Sequence, residues 1–520
     1  MNLTIHFTLA LISLFVLPQT FSAQSKEYNK NHKKIWSKAN CFYKAQEYEK
    51  ALPLYTNIYS LDENYDEINY RIGTCYFNIP GEKTKSISYF NKSKVAGNTE
   101  ACFWLARAYH IVEKFSEELE NYQIYLGKAD KLKGEKEINR YVDIAKRAER
   151  AVDNPVFVKI DNLGSAVNTE YSEVIPFITA DESKLVFSSK RPRNYGVENA
   201  DNKISDIYIS DKEGNAWINT HKIGFEINSE MNDVVVGMND IGTILLVNRT
   251  EIGNDYGNLF LCENKGGEWL KPLMLSENIN SQHKESSACI TADGKYIYFS
   301  SNRPGGYGGK DIWGVKQLPN GKWAKPANIG GVINSSYDEE APFISPNGQT
   351  LYFSSNGHET IGGYDVHNAE AQAEGGWEVP KNLGYPINSV DDDIYFSVGE
   401  NDKRAYYSRY DGNGFGGSDI YELHLLYKEN YLTPVKFMVI DPKTKEPIEA
   451  MIKLYVEETG EIYGDYLPND KGEFLFIVKP EMKFNMEISA DGFTTNNTEF
   501  QITTDDVSDD LLFREIIISN

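Results

Sequence analysis

The chain has 520 residues, which is about three domains at roughly 150 residues each. Apolar residues make up 41 % and charged residues 25 %, so wholesale disorder is excluded. Lys and Arg total 53 against 76 Asp and Glu, a net charge of −23; a nucleic-acid binder carries the opposite sign, because phosphate contacts need cations. The acidity is uneven. Residues 24–154 hold 22 basic and 19 acidic side chains, whereas residues 155–520 hold 31 and 57, so the first part is a different kind of object from the rest. Thirty-four Tyr and 40 Gly predict much β structure and many turns.

Residues 3–17 (LTIHFTLALISLFVL) are almost continuously apolar, Pro18 follows, and Ser22-Ala23-Gln24 offers small residues for cleavage. This predicts a secretory signal over 1–23 and an exported product. No Cys lies near residue 23, so no lipid attachment is expected there, and no later stretch reaches the ~20 apolar residues of a spanning helix. Five cysteines, Cys41, Cys75, Cys102, Cys262 and Cys289, show no CxxC or His/Cys ligand spacing. Free core thiols are expected, with Cys75–Cys102 the one pair to check, and no metal or other cofactor.

Residues 26–152 have apolar spacing near 3.6 and repeat at 33–34 residues. Tyr43, Tyr76 and Tyr109 recur, as do Tyr55, Tyr89 and Tyr122, and the small residues Ala39, Gly73 and Ala106 precede the first set. A helix pair per repeat follows, with the small residue allowing close approach and residues 137–152 closing the stack. The pattern resembles the tetratricopeptide repeat. That resemblance implies a concave, partner-binding face presenting Lys34, Ser37 and Lys44, then Tyr70, Thr74 and Phe77, then Phe103, Arg107 and His110. The alternative is that the repeats simply pack against the next domain.

Residues 155–427 carry a longer repeat. Trp217, Trp269, Trp323 and Trp377 recur every 52–54 residues, as do Ile227-Asn228, Ile279-Asn280, Ile333-Asn334 and Ile387-Asn388. A β run precedes each Trp (LVFSS 185–189, ILLVN 244–248, YIYFSS 296–301, LYFSS 351–355), and a second follows it in the repeat (DIYIS 206–210, NLFLC 258–262, DIWGV 311–315, YDVHN 364–368). Four short strands in about 54 residues predict one blade of a β-propeller. Residues 156–168 read as an orphan outer strand, and 394–425 as a blade lacking one. Joining them seals the ring and removes both sheet edges, for five blades, or six if a degenerate copy is present. The copies TADGKYIYFSSNRPGGYGGKDIW (291–313) and SPNGQTLYFSSNGHETIGGYDV (345–366) resemble the PD40 propeller repeat of TolB-like proteins. Gly305, Gly306, Gly308 and Gly309 lack the strand-to-helix setting of a phosphate loop and read as turns. The insertion 192–204 and the replacement of Ser-Ser by Val247-Asn248 mark loops for partner contact. Asp338-Glu339-Glu340 and Asp391-Asp392-Asp393 read as hydrogen-bonded or solvated turns, with a Ca²⁺ site as the competing reading.

Residues 431–516 show short alternating strands (VKFMVI 435–440, IEAMIKLYV 448–456, EFLFIV 473–478, MKFNMEIS 482–489) with regular turns, predicting a β-sandwich. VIDPKTKEPI (439–448) resembles the carboxypeptidase regulatory-like, transthyretin-type module. No GxSxG, HExxH, Walker loop or dinucleotide fingerprint occurs anywhere, so no enzyme is expected.

The order of signal, helical repeats, propeller and sandwich resembles the PorE-like envelope proteins of Bacteroidota associated with type IX secretion. Those proteins continue into an OmpA-like, peptidoglycan-gripping domain, and no such motif can be mapped onto 505–520. The resemblance implies a multidomain α plus all-β protein: a non-catalytic periplasmic scaffold, peripheral to the outer membrane, whose partners are envelope or outer-membrane proteins, with peptidoglycan or glycan contacted indirectly. The alternative is a propeller that binds carbohydrate or peptidoglycan fragments, since aromatic-rich mouths stack on sugar rings.

Overall fold

The computed structural model describes residues 19–520 apart from 61–62, 64, 129–132, 157, 193–203, 252–256, 400–402, 426–432, 470, 481, 504–511 and 518–520. Most of the expected signal and nearly all of the 192–204 insertion lie outside the described residues. The chain divides into two compact units, Met1–Ala145 and Lys146–Asn520, the division falling inside the last helix. The first unit is helical; the second is almost entirely β-strand in many sheets.

Six helices of the first unit run α1 (Gln19–Lys44), α2 (Tyr48–Tyr59), α3 (Asp66–Asn78), α4 (Ser86–Val95), α5 (Thr99–Ile111) and α6 (Phe115–Leu126); α7 (Glu135–Asp153) follows. From α1 to α6 each helix packs on its successor. The small residues recur for a steric reason. Ala39 and Ala106 are fully buried, and a Cβ on Gly73 would lie 2.7 Å from the Phe90 ring. Between α4 and α5, Gly97 takes φ +102° and the Asn98 side chain accepts from Glu100 N at 3.1 Å, so one helix stops and the next is capped within four residues. Cys75 and Cys102 are buried and unbridged, as are Cys262 and Cys289; Cys41 is exposed.

In the second unit β1 (Val158–Asn162) comes first and joins the last sheet of a series. The first sheet is β2 (Glu173–Ile178), β3 (Lys184–Ser189), β4 (Asp206–Glu213) and β5 (Ala216–Lys222), hydrogen-bonded in that order. The second is β6 (Asn232–Met238), β7 (Ile244–Thr250) and β8 (Asn258–Lys265), with β9 (Glu268–Trp269) and β10 (Leu273–Met274) both on β8. The third is β11 (Glu285–Ile290), β12 (Tyr296–Ser301), β13 (Asp311–Lys316) and β14 (Ala327–Asn328). The fourth is β15 (Glu339–Ile344), β16 (Thr350–Ser355), β17 (Asp365–Glu370) and β18 (Lys381–Asn382). The fifth has β19 (Ile394–Val398), β20 (Arg404–Tyr410) and β21 (Ser418–Leu425), and its outermost strand is β1, paired antiparallel from Val158↔Leu425 to Asn162↔Tyr421.

The first strands contact one another in a closed cycle: β2 with β6, β6 with β11, β11 with β15, β15 with β19, and β19 with β2. Side chains bond neighbouring sheets along it. Ser188 Oγ accepts from Val235 N (3.0 Å), Asn248 Nδ2 donates to the Glu285 carbonyl (2.9 Å) and Ser300 Oγ donates to the Glu339 carbonyl (2.6 Å). Ser397 Oγ donates to the Pro176 carbonyl (2.9 Å), which ties the fifth sheet to the first. The recurrent tryptophans bridge sheets as well: Trp217 lies edge-on to Tyr406 of the fifth sheet, and Trp377 edge-on to Tyr298 of the third.

The remaining strands are β22 (Thr433–Ile440), β23 (Met451–Val456), β24 (Ile462–Tyr466), β25 (Glu473–Val478), β26 (Lys483–Ser489), β27 (Asn496–Gln501) and β28 (Leu512–Ile517). They form two sheets, β25-β22-β28 and β24-β23-β26-β27, around a core that includes Phe437, Phe474, Phe476 and Phe484. β28 runs parallel to β22.

Candidate partner-binding rim

Strand register gathers one set of loops on a single rim. Glu285 is opposite Ser301, and Ser301 opposite Asp311; Glu339, Ser355 and Asp365 align likewise. The start of each first strand, the end of the second and the start of the third therefore lie together. The loops 302–310, 356–364 and 411–417 share this rim with the segments that lead into each sheet.

Those lead-in segments carry the Ile-Asn pairs, and the asparagines hold the rim together. Asn334 Oδ1 accepts from Ile312 N (2.7 Å) while its Nδ2 donates to Ile312 O (2.9 Å), so one side chain satisfies both backbone groups of a third-strand residue. Asn228, Asn280 and Asn388 do the same to Ile207, Leu259 and Val366. Asn168 does it to Ile420 (2.8 and 2.9 Å), 252 residues away across the ring closure.

Four residues before each first-strand acid stands a Ser or Thr that caps it. Glu339 accepts from Ser335 N (2.9 Å), Ser335 Oγ (2.6 Å) and Ser355 Oγ (2.8 Å). Glu173, Asp233, Glu285 and Asp393 take the same backbone and hydroxyl bonds from Thr169, Ser229, Ser281 and Ser389. The acidic runs are thus hydrogen-bonded turns. Asp338 and Asp392 accept from the backbone of Lys310 and Tyr364 in the adjoining loops (2.7 and 2.9 Å), and the described residues contain no cluster of three or more His, Cys, Asp or Glu suited to a metal.

Glycine pairs 54 residues apart make the third contact. Gly309, Gly363 and Gly417 donate their N–H to the carbonyls of Tyr337, Asp391 and Tyr171 at 2.9–3.0 Å. A Cβ on Gly308, Gly362 or Gly416 would sit 2.0–2.3 Å from a lead-in carbonyl oxygen. These glycines are close-approach residues, a reason for glycine beyond the turn expected from sequence.

Between the third and fourth sheets lies a mixed-charge cluster. Ser286 and Ser287 donate to Glu340 Oε2 (2.6 and 2.9 Å), Lys310 pairs with Oε1, and Ser287 Oγ accepts from Ala341 N (2.8 Å). Burial, with Lys284 adding like charge, pushes the Lys310 ammonium below its ordinary value. Here the serine hydroxyls are spent as donors to a paired carboxylate, which cross-links two sheets. The ring's centre is filled below the rim: Phe177 of the first sheet meets Phe343 of the fourth with centroids 6.3 Å apart, although those sheets are not neighbours in the cycle.

Four aromatic side chains stand exposed on the rim among polar ones such as Asn302, Glu359 and Asn413. Tyr307 is 59 % exposed, Phe415 48 %, Tyr410 46 % and Tyr337 38 %.

The nine helical positions expected to line a groove separate. Lys34, Ser37 and Lys44 are exposed, and Tyr70 and Arg107 half-buried. Thr74, Phe77, Phe103 and His110 are buried, which corrects their assignment to an open face. Phe77 packs edge-on to Trp104 (5.3 Å), and Phe103 packs among Tyr122, Tyr125 and Tyr141. His110 Nδ1 is 2.8 Å from Glu118 Oε2, both side chains without exposure, and Thr74 Oγ1 donates back to the Tyr70 carbonyl (2.9 Å). In this stack the first helices of the pairs turn those positions inward. Arg107 lies 4.8 Å over the Tyr141 ring.

No protein-family model and no curated protein matches the chain. Among solved structures it is similar to an α-L-arabinofuranosidase from Lactobacillus brevis (TM-score 0.34, 10 % identity, covering 51 % of this chain and 93 % of that one). It is also similar to a prolyl endopeptidase (0.28, 11 %, 74 % and 54 %) and to Kuenenia stuttgartiensis hydrazine synthase (0.27, 12 %, 47 % and 69 %). Likenesses at these scores carry no argument about activity. No helix among the described residues is long and apolar enough to cross a membrane.

Proposed function

We propose that this chain is a non-catalytic scaffold of the bacterial envelope: exported, periplasmic, peripheral to the outer membrane, and engaged with protein partners of an outer-membrane or type IX secretion assembly. In this reading the five sheets are blades of a PD40-type β-propeller sealed by β1, the helical pairs are tetratricopeptide repeats, and the C-terminal sheets are a regulatory-like sandwich. The supporting observation is the chemistry of the rim. Its carboxylates, serines and asparagines bond one another, and its exposed side chains include Tyr307, Tyr337, Tyr410 and Phe415, aromatic types enriched at protein interfaces.

A pull-down from envelope extracts with the full chain tests the reading. A reproducible set of envelope proteins is expected, lost when Tyr307, Tyr410 and Phe415 are changed together to Ser; recovery of no reproducible partner would overturn it. The exposed rim aromatics also favour a second reading, binding of carbohydrate or peptidoglycan fragments by ring stacking. Calorimetric titration of the full chain with muropeptides and with neutral oligosaccharides separates the two, since saturable sugar binding abolished by the same triple substitution would favour the second.

A further inference from the structure

The five sheets permit an internal comparison, and the fifth departs from the first three. In the first three, an arginine from the end of the second strand or just after it bonds both the capped acid and the carbonyl before the asparagine. Arg249 Nε meets Asp233 Oδ1 at 2.6 Å and its Nη2 meets Ile227 O at 2.7 Å; Arg303 joins Glu285 (3.0 Å) to Ile279 O (2.7 Å), and Arg191 joins Glu173 (3.2 Å) to Val167 O. In the fourth, His358 Nε2 meets Ile333 O at 2.7 Å. These groups also lie on rings of their own sheets: Arg191 on Tyr208 (4.7 Å), Arg249 on Phe260 (5.0 Å), Arg303 on Phe299 (4.7 Å) and His358 edge-on to Phe353 (5.7 Å).

The fifth sheet has every residue of this arrangement. Arg409 follows Asp393 by sixteen positions, as Arg249 follows Asp233. It lies over Tyr407 and Tyr421 (5.7 and 5.3 Å), the equivalent ring seat. Yet among the described residues Arg409 makes no hydrogen bond or ion pair. Asp393 Oδ2 takes Ser389 N and Oγ (2.5 and 3.0 Å), but Oδ1 is buried without a partner, and so is the Tyr407 hydroxyl. The charged groups around Asp393 are Asp365 from the neighbouring sheet, Asp391 and Asp392 in its own lead-in, and Arg409. Asp411 and Asp419, like Arg409, act electrostatically on Tyr421. Burial, reinforced by Asp365, pushes the Asp393 carboxyl well up, against the opposing pull of the Ser389 bonds and Arg409.

We propose that Asp393 and Arg409 form a proton-operated latch: release of the Asp393 proton to solvent brings the Arg409 guanidinium, still over Tyr421 as Arg249 is over Phe260, onto the carboxylate, completing in the fifth sheet the closure that Arg249 and Asp233 make in the second. With the proton on, the lead-in 387–392 is held to Val366 of the fourth sheet through Asn388 and to Asp393 of the fifth through Ser389; with it off, Arg409 adds a charge-assisted bond to the carboxylate that Ser389 caps. That segment carries the Asp391 and Asp392 contacts of the Gly362-Gly363 loop, so the latch stiffens the rim between the fourth and fifth sheets.

Crystal structures of the full chain at pH 5 and pH 9, beside Asp393→Asn at both, test this. The wild type is expected to carry Arg409 clear of Asp393 at pH 5 and within about 3 Å of Asp393 Oδ1 at pH 9, while the variant keeps it clear at both. Arg409→Gln gives a second readout: its stability deficit against wild type should widen as pH rises, because only the wild type can supply the counter-charge. An Arg409 that makes no bond to Asp393 at pH 9, or a deficit independent of pH, overturns the proposal.

Discussion

Asn334 shows what a single side chain does in this fold. It is buried, and its amide serves the N–H and C=O of Ile312 together with the Asn328 side chain. Asn334→Ala would strand both backbone groups at about 1–3 kcal/mol each, so a loss of about 3 kcal/mol is expected in denaturant unfolding. Asn168→Ala should cost about as much although its target, Ile420, is 252 residues distant, because the bond has the same geometry. His367 makes a different prediction. Its ring is buried against Phe353, Nδ1 bonds the Asp365 carbonyl, Nε2 has no partner among the described residues, and burial pushes it down to about 3. A depressed histidine contributes fully above the unfolded value near 6.5, and its contribution is lost as pH falls from there toward 3. Relative to His367→Gln, the wild type should lose up to about 1.4 kcal/mol per pH unit in that window. A difference between the two proteins that does not change with pH would contradict this. Asp365, pushed up to about 7 by burial, acts in the opposite sense between about 4 and 7, which is why the comparison is made against the variant and not read from the wild-type curve alone.

At the scale of elements, the repeat period carried most of the architecture. The β runs that accompany the 52–54-residue Trp repeat begin within one residue of the second and third strands of the first four sheets, and Val158–Asn162, inside the 156–168 segment, pairs with the last sheet as its sequence suggested. Strands without alternating apolar runs were illegible: β24, β27 and β28 are polar or half-exposed and take their place from pairing partners. The rim was legible as spacing but not as physics. Gly308, Gly362 and Gly416 repeat every 54 residues, yet their reason is the carbonyl of the next sheet, which no local pattern reveals. Likewise the four buried residues of the expected helical groove face inward because of how the pairs stack, a tertiary property. Gly362→Ala tests the contact, since its Cβ would lie 2.3 Å from Asp391 O and 2.6 Å from Ser389 O with backbone on both sides. A loss of about 2 kcal/mol is expected, whereas Gly375→Ala, with open space at its Cβ, carries only the strain of φ +91° and should leave the rim contacts intact. Amide exchange at Gly363, whose N–H bonds Asp391 O, distinguishes the two: faster in the first, unchanged in the second.

At the scale of the whole molecule, the second unit is built to hold a shape. Its first five sheets form a closed cycle, Phe177 and Phe343 meet at the cycle's centre, and the rim loops are clamped by backbone bonds. Rigid presentation lowers the ordering cost of association and suits a surface that is touched. The proposed scaffold role therefore predicts an asymmetry between the rim and the opposite edge, where the first-to-second-strand hairpins lie. A photo-crosslinking residue placed in cells at Tyr307 or Phe415, and in parallel at the exposed hairpin positions Ala292 or Gln349, reads that asymmetry directly. Discrete adducts with envelope proteins from the rim positions and none from the hairpins are predicted; adducts from both edges alike, or from neither, would contradict the account.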